Sequence, residues 1–583
     1  MSRPYIGTHR FTREEVDQKN GYYYVYETES WYDPVSKNTK RKKKLIGKRK
    51  VDTDELESTR PKKTSTALNI PMVASCSFNA MLAICKLICD ISGVSSEVKK
   101  ALPHDSGTAN KILTLVWYDF LNNGENWTAA ENWTREYLEL LPYTSGPITE
   151  NIYQKLFKDI GLNESIKWSI FKKRAEQLGD SELIAWDSTT YVCGVQDVAD
   201  GNVAKHKDGT YQRVYKVLYI YSITSRQLIA YAKLSGEISD ISIVTYALTQ
   251  LKTLKLKHIE IVMDNGFYSR DNIGELLHRK QHFIVRIKPN NTLVKSFLEE
   301  TISLLASGGT DAYNISFAPE YGGIKKTITD TFCYKRIRGS KDKGIKAGEK
   351  DAITATLSVF VYYSSYQKGI EDMKYRKQYS EVKRDLLAGA LLDDEAKKFA
   401  KKYMIVTEID GKVIEVTERS DERAKAFKYH GVLVLLADKE KDVSEALKKY
   451  RLREKEEENI KGHKSHSGGD TSKTGRDEFL DGELLLEFLS NSMRESFSTR
   501  IRSIENQLAI PNGEREHDLN DNLKIERSLL NWLRKTSFAN IVRSYKTTKV
   551  DVIKDVDGHC YKLPKPITKR NQLFLELLGI KVK

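Results

Sequence analysis

Leu183-Ile184-Ala185-Trp186-Asp187 is an apolar run that closes on an acid, and 77 positions later His258-Ile259-Glu260-Ile261-Val262-Met263-Asp264 closes on another. Short apolar runs bounded by polar residues read as strands buried on both faces. Between and beyond them the pattern predicts strands over Tyr215–Ile223 and Leu228–Leu234 and a helix over 241–254. A helix over 272–279, a strand over Phe283–Ile287 and a helix over 292–306 follow. Three strands, then helix and strand in alternation, is the order of an α/β fold around a mixed sheet. Acids at the ends of neighbouring strands point into one crevice, where like charges repel unless a divalent cation neutralises them. Oxygen-only ligation by carboxylates suits Mg²⁺ or Mn²⁺. The competing reading is that each Asp merely caps the turn after its strand.

Outward from this core the texture changes on both sides. Residues 20 to 52 alternate as strands around a Pro34-Val35-Ser36 turn, which predicts a small hairpin, and residues 53 to 70 read as a linker. From 78 to 178 apolar residues recur at three-and-four spacing in Ala80–Ile91, Ala109–Leu121, Asn132–Leu141 and Ile152–Ile160, an all-α module. Residues 310 to 436 are rich in strand patterns, at Ile324–Tyr334, Ala355–Tyr363, Tyr403–Ile409, Lys412–Thr417 and Val432–Leu436, with a charged helical stretch at 368 to 402. From 441 onward the chain reads as helical, with helices expected over 479–507 and 519–543.

Composition narrows the class of partner. With 583 residues there is room for several cores, and no run approaches the roughly 18 to 20 apolar residues of a membrane span. Met1-Ser2-Arg3-Pro4-Tyr5 is followed by no apolar run, so a cytoplasmic protein without a secretory signal is expected. Six cysteines show no disulfide framework; Cys85 and Cys89 share one helix face and read as buried thiols. The net charge of +15 argues for a polyanionic partner, and the densest run is Lys37 to Lys50. That run is either phosphate-contacting or a solvated edge kept soluble by lysines.

The third informative element is Tyr450-Arg451-Leu452-Arg453-Glu454-Lys455-Glu456-Glu457-Glu458-Asn459-Ile460-Lys461-Gly462-His463-Lys464. Tyr450, Arg453, Glu457 and Lys464 follow the spacing Y-x2-R-x3-E-x6-K, and on a helix they share one face. A carboxylate flanked by a hydroxyl, a guanidinium and an ammonium suits a metal ligand set among phosphate contacts. A charged, solvated helix face is the plain alternative.

This spacing resembles the motif of bacterial insertion-sequence DDE transposases of the branch whose ribonuclease-H-like core is split by a β-rich insertion. Trp186-Asp187-Ser188-Thr189-Thr190 resembles that family's first-Asp strand. Val262-Met263-Asp264-Asn265-Gly266-Phe267-Tyr268 resembles its second-Asp segment, and His430-Gly431-Val432-Leu433-Val434-Leu435-Leu436 its return strand. The resemblance spans roughly residues 20 to 505. It implies a ribonuclease-H-like mixed sheet core in two parts, 181–308 and 431–510, interrupted by a β-rich insertion at 309–430. Before the core stand a basic hairpin region with linker (1–65) and an α-helical module that could bind DNA (66–180), and after it a helical C-terminal region (511–583).

By position, the resemblance implies that Asp187, Asp264 and Glu457 hold two Mg²⁺ or Mn²⁺ ions, with Glu454 and Glu458 as neighbouring alternatives to Glu457. Tyr450, Arg453 and Lys464 would grip DNA phosphates, Ser188 and Thr189 would support the first acid, and Gly266 would permit a tight turn. The implied activity is cleavage of transposon ends and joining of 3′-hydroxyls to target DNA. The implied partners are double-stranded DNA, as terminal inverted repeats and target, and a second copy of the chain in the synaptic complex. No membrane is involved, and the protein is expected at the bacterial nucleoid when bound to DNA. Some relatives stack a flipped end base on a tryptophan of the insertion; here no Trp lies between Trp186 and Trp532, leaving Phe360, Tyr362 and Tyr363 as aromatic candidates. Rival readings are a ribonuclease-H-like nuclease that cuts without joining, and a DNA-binding protein that has lost catalysis.

Overall fold

The computed structural model describes residues 10–17, 21–33, 35–57, 73–122, 126–179, 181–193, 201–205, 211–238, 240–256, 259–307, 313–335, 346, 348–409, 412–466, 471–472, 476–509, 521–554 and 559–581; side chains from 455 to 475 are outside that description. The chain forms two compact units, Met1–Ser75 with Val552–Lys562, and Cys76–Asp551 with Leu563–Lys583.

In the smaller unit β1 (Arg10–Asp17), β2 (Tyr22–Asp33) and β3 (Asn38–Lys50) form an antiparallel sheet in the order β1-β2-β3. The expected hairpin is therefore joined by a third strand. Its turn is closed by the Asp33 carboxylate, which accepts from the Val35 amide at 3.1 Å and the Ser36 hydroxyl at 2.8 Å.

The larger unit begins within β4 (Val73–Asn79), which leads into α1 (Ala80–Ile91), where the Asn79 side chain caps the Leu82 amide. The helical module continues with α2 (Val94–Ala101), α3 (Ser106–Asn122), α4 (Ala130–Glu136), α5 (Glu150–Leu162) and α6 (Glu164–Glu176). Helices α2 and α6 had not been expected. Cys85 and Cys89 are buried, and burial pushes the Cys89 thiol up to about 11, so they behave as packing groups.

The core then lays down β5 (Leu183–Cys193), β6 (Asn202–Lys205), β7 (Tyr211–Ser222), β8 (Gln227–Ser235), α7 (Asp240–Thr253), β9 (Glu260–Met263), α8 (Arg270–His278), β10 (His282–Ile287) and α9 (Lys295–Ala306). After it come β11 (Tyr313–Asn314), β12 (Gly322–Lys335), β13 (Lys350–Tyr363), α10 (Ser365–Leu387), α11 (Asp394–Tyr403), β14 (Met404–Ile409), β15 (Lys412–Glu418), α12 (Ser420–Phe427), β16 (Val432–Ala437), α13 (Val443–His466), β17 (Thr471–Ser472) and α14 (Asp477–Ala509).

One sheet of eleven strands runs β11-β12-β13-β16-β10-β9-β5-β7-β6, with β8 on β7 and β17 on β5. The residues expected as an insertion thus divide in two. The β12–β13 hairpin extends the core sheet, because β13 pairs with β16 and β16 with β10. Residues 365–427 instead close a small core of their own around Tyr375, Val382, Phe399, Met404 and Val416.

Helix α14 binds the helical module to the sheet. It crosses α5 so tightly that a Cβ on Gly482 would lie 2.1 Å from the Phe157 carbonyl oxygen, and one on Gly161 only 1.8 Å from that of Glu478. Gly482→Ala must therefore push the two helices apart. We expect a loss of about 2–3 kcal/mol, measured by denaturant unfolding; an unchanged midpoint would mean that the crossing is looser than its geometry shows. After α14, α15 (Asp521–Lys535), α16 (Phe538–Arg543) and α17 (Lys569–Leu578) make the C-terminal region mainly helical. No described helix is long and apolar enough to cross a membrane.

Candidate active site

Strands β5 and β9 run parallel in the register Leu183↔Glu260, Ile184↔Ile261 and Ala185↔Val262. The pairing ends at Ala185↔Val262, and Asp187 and Asp264 each stand two residues beyond that pair, at the same level along the two strands. On β10 the register Val285↔Met263 likewise brings Arg286 level with Asp264. Side chains at one level of neighbouring strands share a face. Three adjacent strands therefore present two acids and a guanidinium together.

The two acids are placed differently from expectation in one respect. Asp264 follows the last residue of β9, as predicted, but Asp187 lies within β5, which continues to Cys193 along β7. What ends at Ala185 is only the parallel pairing to β9. Asp187 thus stands where the sheet opens. Below it Trp186 is fully buried and meets the Phe267 ring edge-on.

The capping reading can now be judged for Asp264. It sits at the N-cap of the tight turn Asn265–Phe267, yet its side chain makes no cap hydrogen bond. Gly266 is not among the positive-φ glycines, so this turn does not depend on glycine's conformational freedom. The Asp264 carboxylate instead faces α13, which packs against β9 and β5. The Tyr450 hydroxyl donates to Asp264 Oδ1 at 3.4 Å and accepts from Arg453 Nη2 at 3.2 Å.

Burial decides how these groups behave. Tyr450 is fully buried and Arg453 is 2% exposed, so neither is presented to solvent as a free phosphate grip. Burial pushes the Tyr450 hydroxyl up to about 12; Arg453 and Arg286 pull against that rise, and Asp264 adds to it. The phenol stays protonated and able to donate. Arg286, which the sequence reading passed over, is also held as a cation. Burial works against its charge, but Tyr450, Asp264 and Glu454 outweigh that cost. A lone cation among strand residues gives no sequence signal; the signal is its level with Asp264, which needs the register.

Glu454 is the described acid of α13 nearest this cluster electrostatically. Desolvation raises its carboxyl, the Arg453, Arg286 and Arg451 guanidinia lower it, and Asp264 raises it further. Glu457 and Lys464 lie in α13, about one and three turns further from Arg453 and Glu454 along the helix, and their side chains are outside the described residues. Among the described residues no three His, Cys, Asp or Glu side chains converge as a metal-binding group. Two aromatic candidates for base stacking are excluded by burial: Phe360 and Tyr362 lie in the core, and the Tyr362 hydroxyl donates to the Val443 carbonyl at 2.7 Å. Tyr363 is only half-buried.

The model of the family described as transposase DDE domain matches residues 178–387, a stretch that holds Asp187 and Asp264 and stops before α13. No curated protein matches the chain. Among solved structures, a piggyBac transposase synaptic complex with hairpin DNA is similar at 11% identity and a TM-score of 0.30, over 68% of this chain. The chain spans 63% of the length of that transposase. Residues 178–387 are thus similar to a transposase DDE domain.

Proposed function

We propose that this protein cleaves the ends of a mobile DNA segment and joins the freed 3′-hydroxyls to target DNA. The observation that carries this reading is the level pair Asp187 and Asp264 on adjacent parallel strands, inside the matched domain and beneath α13. The strand order β8-β7-β5-β9-β10, with β5, β7 and β8 antiparallel and β9 and β10 parallel to β5, supports a ribonuclease-H-like core.

The donor set fits hard divalent cations. Asp187 and Asp264 offer oxygen alone, and Asp264 is not spent on its turn. Asp187, Asp264 and Glu457 would hold two Mg²⁺ or Mn²⁺ ions, which when bound activate the attacking oxygen and stabilise the leaving one. The remaining work falls to the chain's own residues. Tyr450 and Arg453 fix the Asp264 carboxylate from above, so its orientation does not depend on substrate. Arg286 and Arg453 place positive charge where a phosphoryl group accumulates negative charge. Lys464 holds a phosphate of the transposon end.

In the first step a water oxygen bonds to phosphorus and the bond to the 3′-oxygen breaks, leaving a 3′-hydroxyl on the element and a 5′-phosphate on the flank. In the second, that 3′-hydroxyl bonds to a target phosphorus and displaces the target's own 3′-oxygen. No covalent protein–DNA intermediate is required, and pairing two ends requires a second copy of the chain.

Duplexes made from the DNA that flanks the reading frame supply the test substrate. With Mg²⁺ and pre-cleaved ends, joined products exclude a nuclease that only cuts. Glu457→Gln should lower cleavage and joining by at least about 10³-fold, and Glu454→Gln by less than about 10-fold. The opposite ranking would transfer the third carboxylate to Glu454.

A further inference from the structure

We propose that β3, the edge strand of the N-terminal sheet, is a docking surface for the phosphate backbone of duplex DNA, with Arg41, Lys42, Lys44 and Lys50 making the contacts. The proposal rests on the reading that this chain acts on DNA, and adds a DNA-holding surface in the smaller unit.

Strand β3 reads NTKRKKKLIGKRK, in which eight of thirteen residues are Lys or Arg and none is acidic. Among the described residues it pairs along its length only with β2, and its other edge has no partner strand over Asn38–Leu45. Half of its cations are already engaged. Lys40 pairs with Asp33 at 2.5 Å, Lys43 with Glu14, and Arg49 with Glu15 at 2.5 Å. Lys48 lies over the Tyr22 ring, 4.4 Å from its centroid, and near Glu57. The remaining four, Arg41, Lys42, Lys44 and Lys50, are exposed and form no ion pair among the described residues.

Edge protection alone does not account for this arrangement. A lysine or two suffices to block edge-to-edge pairing, whereas Arg41, Lys42 and Lys44 stand close together with no ion pair among the described residues, and like charges at that spacing repel. An external polyanion relieves that repulsion. Spacing favours a nucleic acid backbone among polyanions: alternate strand residues advance about 6.8 Å, the axial rise of two phosphates along one strand of B-DNA. Lys42 and Lys44 are such a pair on one face, opposite Glu29 and Glu27 of β2.

The test uses the full-length chain and a labelled duplex of random sequence, with anisotropy read between 50 and 200 mM salt. The variant R41Q/K42Q/K44Q/K50Q should flatten the slope of log K against log salt by about 3 to 4, near 0.9 for each lost contact, and weaken binding at least about 100-fold. The control K374Q/K397Q/K401Q/K412Q removes the same charge from exposed lysines of the larger unit and should change the slope by less than about 1. Lys42→Gln alone should flatten it by about 0.9, which keeps the test decisive should the fourfold variant fold poorly. Equal slopes for the fourfold variant and the control would overturn the proposal. So would undiminished duplex binding by the fourfold variant together with lost retention on phosphatidylglycerol vesicles, which would assign the strand to a membrane. Failure of the catalytic reading is separate: Glu457→Gln should keep the full salt slope whatever it does to cleavage.

Discussion

Asp264→Asn is expected to lower DNA-end cleavage by at least about 10³-fold while leaving the protein folded and able to bind DNA. Asparagine keeps an oxygen that can accept from Tyr450, so the contact from α13 to the end of β9 survives. What disappears is one negative charge beside Asp187 and Arg286. Removing it cannot weaken attraction to phosphates, so affinity for end duplexes should hold or rise. Asp187→Asn should match the loss, and the double variant should be little worse than either single one, because groups that act as a unit are not additive. Cleavage of an end-labelled duplex together with anisotropy on the same duplex separates the two quantities. A single variant that kept a tenth of wild-type cleavage would remove these acids from the reaction.

Arg174→Ala should produce the largest loss of stability, about 3–5 kcal/mol. Arg174 and Glu97 are both fully buried, and the guanidinium meets the carboxylate through Nε at 3.1 Å and Nη2 at 2.8 Å. Its Nη1 donates to the Leu228 carbonyl at 2.7 Å and the Ser492 hydroxyl at 2.6 Å, and the group lies over the Phe488 ring. One side chain thus joins α6 to α2, β8 and α14. Truncating it strands the Glu97 carboxylate in the core, where an unpaired charge is most costly. Thermal melting should fall by roughly 10 °C. Arg174→Met combined with Glu97→Leu should recover much of that loss, since replacing both partners with apolar groups leaves no orphaned charge. A double variant as unstable as Arg174→Ala would show that the hydrogen bonds to Leu228 and Ser492 carry the junction instead.

Most of the core could be read from periodicity because strands such as β9 and β10 are buried on both faces; β6, with Val203 63% exposed, escaped that reading. The helices α2 and α6 escaped it as well. Helix α2 has eight residues and buries only two apolar side chains, Val94 and Val98, too few to set a period. Helix α6 begins two residues after Gly161-Leu162, where the preceding helix ends.

The sequence by itself singled out the candidate residues: two acids that follow apolar runs, and a third on a helix face with Tyr450, Arg453 and Lys464. Spacing along a strand or helix is a local property, and local sequence sets it. Only the tertiary structure decided their arrangement. The pairing of β5 with β9 joins residues 77 positions apart and brings Asp187 level with Asp264, while β10 adds Arg286. Helix α13 then turns Tyr450 and Arg453 inward onto Asp264, so two residues that read as outward grips are buried supports. Likewise, strands that read as a separate β-rich piece continue the core sheet, because β13 finds its partner in β16, some seventy residues later. Register and packing between distant segments depend on the whole chain, and no window of sequence contains them.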